Sequence, residues 1–179
     1  MNYFGTVKLI LNVLPGMREQ RSGHIVNVSS AGVQARAPHF SAYVASKAAL
    51  DAFSDVAQAE VQADNVKFTT VYMPLVRTPM IAPTTMYRHM PALSPEDAGT
   101  LMCEAITFQP RHIGTLGTAM LAVGNTLSPG AMDAVRGLAY SLFPDSNAAK
   151  GEPDEGAEEP VVPNIARTVF ARVFRHVHW

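Results

Sequence analysis

Tyr43 and Lys47 stand four residues apart in a stretch, 41–61, whose composition favours a helix, so their side chains share one face a turn apart. An ammonium held near a phenol favours the phenolate and lowers a pKa that is about 10 when unperturbed. Each unit of that shift corresponds to about 1.4 kcal/mol of differential interaction between the two protonation states. A tyrosine tuned this way can deliver a proton to a carbonyl oxygen near neutral pH, which is general acid catalysis. Ser30, at the mouth of the preceding strand, could donate a hydrogen bond to the same oxygen. A Tyr-x-x-x-Lys pair by itself is common, and taken alone it is more often structural than catalytic.

The elements that must carry these groups follow from periodicity. Between Asn2 and Arg18 the residues Phe4, Val7, Leu11 and Leu14 recur at helical spacing, and Gly23 suits the turn that ends this helix. Residues 24–29 (HIVNVS) are short and β-branched and read as a buried strand, with Ser30-Ala31-Gly32 as its exit loop. The 41–61 helix carries Ala45, Ala49, Phe53 and Val56 as one stripe, Asp64-Asn65 turns the chain, and 66–72 is a second strand. Strand, helix, strand is the βαβ unit of a parallel α/β sheet, in which ligands sit beyond the carboxyl ends of the strands. Both the Ser30 exit and the loop after Pro74 leave from those ends. Pro74, Pro79, Pro83 and Pro91 forbid regular structure there, and long irregular loops in compact domains are more often functional than decorative.

Further on, Ser94-Pro95-Glu96-Asp97 is a helix start, followed by Ala98, Leu101, Met102, Ala105 and Ile106 on one face. Ser128-Pro129 opens another helix with Val135, Leu138 and Leu142 as its apolar face. Residues 151–160 hold five acids and no base and read as a solvated linker. Beyond them Ile165, Val169, Val173 and Val177 form a stripe accompanied by Arg167, Arg172 and Arg175, an amphipathic segment over 161–179 that would either contact a membrane surface or pack on its own domain.

The residues around the Tyr/Lys pair, GHIVNVSS at 23–30 and YVASK at 43–47, closely resemble the short-chain dehydrogenase/reductase family. The family's strand-end serine lies thirteen residues before its tyrosine, the spacing of Ser30 and Tyr43. Its fourth catalytic residue, an asparagine in an Asn-x-x-Gly setting, matches Asn2-Tyr3-Phe4-Gly5. Its Pro-Gly-x-x-x-Thr segment matches Pro74 and Thr78, with Leu75 in place of the glycine. The resemblance covers residues 2–80. It implies that Tyr43 donates or accepts the proton, that Lys47 lowers its pKa and holds the nicotinamide ribose, and that Ser30 orients the carbonyl. It implies further that Asn2 keeps a relay water and that Pro74, Val76 and Thr78 line the nicotinamide end of an NAD or NADP cofactor, NADPH being favoured. A narrower similarity, in MPLVRTPMIAP at 73–83, FPDS at 143–146, AAKG at 148–151 and VHW at 177–179, is to the reductase domain of bacterial fatty acyl-CoA reductases. The implied substrate is a small-molecule carbonyl or acyl thioester. An alcohol or hydroxysteroid dehydrogenase, or a non-catalytic remnant that binds lipid or a partner, is the alternative.

The chain also departs from that family. A Rossmann fold has two halves, and the first supplies the glycine-rich turn that receives the pyrophosphate. No Gly-x-x-x-Gly-x-Gly or Gly-x-Gly-x-x-Gly occurs here, and Gly114-Thr115-Leu116-Gly117 is too sparse. The expected architecture is therefore a partial Rossmann-like α/β domain over 1–150 with a parallel sheet and flanking helices, the acidic linker 151–160, and a helical extension 161–179. The strand starting at His24 would then have an unpaired edge, and the chain alone is expected to bind dinucleotide weakly or not at all.

Composition sets the outer bounds. Among 179 residues, fourteen Lys/Arg stand against fifteen Asp/Glu, leaving no overall field for nucleic acid. One cysteine, Cys103, excludes an internal disulfide and reads as a reduced, partly buried thiol. Six scattered histidines form no metal box. Asp51 and Asp55 read as a solvated helix surface. Nothing at the start resembles a signal peptide, so a cytoplasmic protein is expected. The alanine-rich face of the Tyr43 helix is either core or a contact between copies in a homo-oligomer. Met80, Met86, Met90 and Tyr87 are candidates for an adaptable wall around an acyl chain.

Overall fold

In the computed structural model of this chain the described residues are 2–79, 81, 87, 90, 92–142 and 176–178. Strand β1 (Gly23–Ser30) lies parallel to β2 (Val66–Met73) along its whole length, from Gly23 beside Val66 to Ser30 beside Met73. Strand β3 (His112–Thr115) is parallel to β2, with Thr70 beside His112 and Val71 beside Ile113, and β4 (His176–His178) runs antiparallel to β3. The order across the sheet is β1-β2-β3-β4.

Because successive side chains of a strand point to opposite faces, each face recruits its own helices. Ile25, Val66 and Phe68 pack against Ile10 of α1 (Phe4–Glu19) and against Leu50, Ala57 and Val61 of α3 (Ser41–Val61). On the other face Val71 and Ile113 pack against Leu101 and Ala105 of α4 (Pro95–Phe108). Coverage on both faces is why the parallel strands read as nearly continuous apolar runs. This is the expected Rossmann-like α/β arrangement.

Several local expectations are borne out. Ser94 caps α4: its hydroxyl accepts the Asp97 amide at 3.0 Å and donates to the Asp97 carboxylate at 2.8 Å. Helix α6 (Pro129–Leu142) starts at the predicted proline, and Asn65 turns the chain in the left-handed region, φ 57°.

Others are corrected. Gly23 does not end α1; Arg21 makes that left-handed turn, φ 50°, and Gly23 opens β1. A Cβ there would meet the Met17 side chain at 2.7–2.8 Å, so glycine is required by close approach. The Ser30 exit is not a loop but a one-turn helix, α2 (Ala31–Ala35). The α3 face turned to the sheet is centred on Leu50, Asp51, Ser54, Ala57 and Val61; of the Ala45/Ala49/Phe53/Val56 stripe, Phe53 packs on that core and Val56 is 60 % exposed. On α1 Phe4 and Leu11 are likewise exposed, while Ile10 is buried. Strand β3 and helix α5 (Leu116–Leu127) were not predicted; a Thr115/Thr118 capping box starts α5. The helical extension expected over 161–179 does not reach 176–178, which are strand. The linker 151–160, the rest of the extension, and Met80 and Met86 lie outside the described residues.

Candidate active site

A helix that follows or precedes a strand in a βαβ unit runs back along it, so its length fixes where its ends lie. Helix α1, 16 residues or about 24 Å, returns the chain from Asn2 to the start of β1, 8 residues or about 26 Å. Asn2 therefore lies toward the end of the sheet at which β1 finishes. Helix α3 runs from that same end to the start of β2, which puts Tyr43 at the Ser30 end and brings the chain out of β2 at Pro74. Thus Asn2, Ser30, Tyr43, Pro74, Val76 and Thr78 all fall at the carboxyl ends of the parallel strands, the usual ligand crevice of this architecture.

Ser30 is the N-cap of α2: its Oγ accepts the Gly32 amide at 3.0 Å. That bond uses an oxygen lone pair and leaves the hydroxyl proton for another acceptor. A Cβ on residue 32 would approach Ser30 Oγ to 3.2 Å, so glycine lets the cap close. Lys47, one turn along α3 from Tyr43, donates from Nζ to the Val28 carbonyl at 2.7 Å, which fixes the ammonium beside β1, two residues short of Ser30. Tyr43 is 41 % exposed and so open to a ligand. Tyr87, from the proline-rich loop, lies near enough that the Tyr43 phenol, after burial itself, pushes the Tyr87 phenol up. A groove of about 320 Å³ along β1 includes Thr6, Ile10, Asn27, Lys47 and Leu50 in its wall. Asn2 adjoins it, its carbonyl accepting the Thr6 hydroxyl at 3.1 Å.

The segment after β2 is held by a parallel bridge between Val76 and Leu93. The Leu93 amide donates to Leu75 O at 2.8 Å and the Arg77 amide to Leu93 O at 2.9 Å. In such a bridge the peptide groups of Val76 itself face away from Leu93 and are not used by it.

Asp51 is the residue that sequence reasoning misplaced. It is 8 % exposed, not part of a solvated surface. Both its carboxylate oxygens, and the Ser29 hydroxyl beside it, are buried without a hydrogen bond of ordinary geometry. Burial, above all, pushes its carboxyl up to about 6, with the Asp55 charge adding to the rise; Ser29, Lys47 and Tyr72 oppose it. The missed signal was spacing, since Asp51 is one turn beyond Lys47 and adjoins Leu50 on the sheet-facing side. Its neighbour Asp55 is exposed and pairs with Arg111 at 2.8 Å and His112 at 3.3 Å, joining α3 to the start of β3. Burial holds the His112 imidazole below its usual value despite Asp55. Cys103 is exposed rather than partly buried.

Among the described residues no cluster of His, Cys, Asp or Glu could hold a metal ion, and no helix is long and apolar enough to cross a membrane. The donors fit one end of a nicotinamide cofactor. Lys47 and Tyr43 offer a cation and a hydroxyl for ribose, and the Val76 peptide groups offer a donor and an acceptor for a carboxamide. For the pyrophosphate end the sequence has no glycine-rich turn.

Comparison with known proteins agrees with this fold. The short chain dehydrogenase family profile matches residues 1–88. An uncharacterized oxidoreductase of Mycobacterium tuberculosis is 49% identical over 179 residues, all of this chain and 52% of the relative. The fatty acyl-CoA reductase of Acinetobacter baylyi is 45% identical over 179 residues, again all of this chain and 58% of the relative. The chain thus spans about half the length of these relatives. Among solved structures, a short chain dehydrogenase from Burkholderia cenocepacia in complex with NADP superposes with a TM-score of 0.62 at 24% identity, over 80% of this chain and 56% of the other. The profile match over residues 1–88, just under half of the chain, and these relatives make the chain similar to the short-chain dehydrogenase/reductase family.

Proposed function

We propose that this chain supplies the catalytic half of an NAD(P)H-dependent reductase acting on long-chain acyl thioesters or fatty aldehydes, NADPH being the favoured cofactor. The observation that carries the reading is the Ser30 hydroxyl. Its oxygen is fixed by the Gly32 amide and its proton is left to donate, at the strand end where Tyr43 begins α3. The substrate class is supported by the likeness to the Acinetobacter baylyi enzyme, and the cofactor class by the NADP-bound neighbour's fold.

In this mechanism Ser30 donates its hydrogen bond to the substrate carbonyl oxygen and sets its direction. Tyr43 gives its phenolic proton to the same oxygen as negative charge develops there. Lys47, anchored on the Val28 carbonyl, holds its charge near the phenol and binds ribose hydroxyls. Asn2 keeps a water from which the phenolate is reprotonated, while Pro74, Val76 and Thr78 line the place of the carboxamide. A bound nicotinamide would supply the hydride, so an aldehyde gains one hydride on carbon and one proton on oxygen to give the alcohol. A thioester reduced in the same way gives a hemithioacetal, whose C–S bond then breaks to release the thiol and leave the aldehyde. A glycine-rich partner half supplies the pyrophosphate site. The outer apolar side chains of α1 and α3, Phe4, Leu11 and Val56 among them, are the contact of a homo-oligomer.

The test follows NADPH oxidation with palmitoyl-CoA and with a long-chain aldehyde, using this chain alone, this chain joined to a glycine-rich half, and the joined protein with Tyr43→Phe. Turnover is expected in the joined protein and a fall of about 100-fold or more in the Phe variant. Full turnover by the Phe variant overturns the reading.

A further inference from the structure

We infer that Arg136 is a positioning residue for the Ser30 hydroxyl, acting through Asn125 and the carbonyl end of α2. The inference rests on the reading of Ser30 as the group that orients the substrate carbonyl, and adds to it a part of the chain, 116–142, to which the sequence assigned no chemistry.

Helix α2 has five residues. A single turn does not hold itself, because nucleation costs more than one turn of hydrogen bonds returns. Its last four carbonyls also need partners from outside the helix, and each has one. The Gly32 carbonyl takes the Ala37 amide at 3.1 Å, and that of Val33 takes the Arg36 amide at 3.3 Å, with Arg36 in the left-handed region at φ 51°. The remaining two are met from α5 and α6. Asn125 Nδ2 donates to Gln34 O at 2.5 Å, and Arg136 Nε donates to Ala35 O at 3.3 Å.

Arg136 organises this arrangement. Its side chain is only 14 % exposed and its other nitrogens donate to Asn125 Oδ1 and to the Asp133 carboxylate. The bond to Oδ1 dictates which way the Asn125 amide faces, since only then does its NH₂ point at Gln34. One guanidinium therefore fixes both side-chain donors that close α2. A second tie lies just beyond, where Tyr140 of α6 stacks on His39 with centroids 4.5 Å apart and planes 13° from parallel. At its opposite end α2 holds Ser30 Oγ through the Gly32 amide at 3.0 Å. The chain of contacts runs from Arg136 through one helical turn to the catalytic oxygen. If α2 frays, Ser30 Oγ loses the bond that sets its rotamer.

The test compares wild type with Arg136→Ala, Arg136→Lys and Asn125→Ala, all as the protein joined to its glycine-rich half. Amide exchange is read at Gly32, Arg36 and Ala37. We expect exchange at these three to speed up at least tenfold in Arg136→Ala and in Asn125→Ala, with β1 and β2 amides such as Ile25 and Val71 unchanged. Arg136→Lys, which keeps the charge but not the fork, falls between. Millimolar guanidinium restores protection to Arg136→Ala and not to Asn125→Ala. In the reductase assay kcat of Arg136→Ala falls about tenfold with KM nearly constant, and the same substitution in a Ser30→Ala background costs nothing more. Unchanged exchange at Gly32 in both Arg136→Ala and Asn125→Ala overturns the inference, as does a full additional loss in the Ser30→Ala background. A wild type with altered exchange in the variants but no reductase turnover sinks the proposed reaction and leaves the Arg136 linkage standing.

Discussion

Asp51 lies one turn beyond Lys47 with a buried carboxyl whose pKa is pushed up to about 6 from an ordinary 3.8, chiefly by burial. The folded chain thus holds a proton that the unfolded chain has already released. Stability is fully present below the unfolded value and is lost as pH rises through about 6. Asp51→Asn, which keeps the shape and removes the charge, is expected to raise the unfolding free energy at pH 8 by about 1 kcal/mol, after allowance for water at the helix edge and for Lys47. The gain should shrink toward zero by about pH 4; urea unfolding of both proteins at the two pH values measures it. Tyr43 and Lys47 could be paired from sequence because residues four apart on a helix share a face, whereas the place of Ser30 beside them came from the family resemblance. The burial of Asp51 was not legible, because an acid that shares a helix face with Asp55 reads as solvated surface. Arg136 and Asn125 were illegible for a different reason: their partners, Ala35 and Gln34, are 101 and 91 residues away, and no local pattern encodes such a contact.

At the scale of elements, caps and turn chemistry were read more accurately than faces. The Ser94 cap and the limits of the Ser41–Val61 helix stand as expected, because each depends on residues next to one another in sequence. The faces of α1 and α3 stand only in part: Val7, Leu14 and Phe53 pack on the core as expected, while Phe4, Leu11 and Val56 are exposed, because both helices carry apolar residues on more than one side. The sheet takes the α3 side bearing Ser54, to whose hydroxyl Asn27 donates at 2.7 Å. Polar pairing, which hydropathy does not register, helped decide the orientation. Strand β3 escaped notice since four residues including a glycine are too few for a period. The close approach of α1 to β1 gives a test of its own. Gly23→Ala should destabilise by about 1–3 kcal/mol, because its Cβ would stand 2.7 Å from the Met17 side chain. Met17→Ala in the same protein should recover part of that loss, read as a rise in the thermal midpoint.

For the molecule as a whole, the long β1–β2 ladder holds together the strand ends that carry Ser30 and Pro74, and β1 is the edge of the described sheet. The βαβ core was legible because alternating strand and helix patterns permit few topologies. The strand that closes the far edge at 176–178 was not, since three residues separated by a long stretch from their partner carry no signal. The absence of a glycine-rich turn from the sequence predicts that calorimetric titration with NADPH gives no micromolar binding by these 179 residues, and binding once a glycine-rich half is joined; micromolar binding by the 179 residues alone would contradict the division of labour. The antiparallel course of β4 has a corollary for the path of the chain. It passes Thr115 first and Ile113 last, so over 176–178 the backbone runs from the carboxyl end of β3 back toward its start, away from the strand ends at which Ser30 and Pro74 stand.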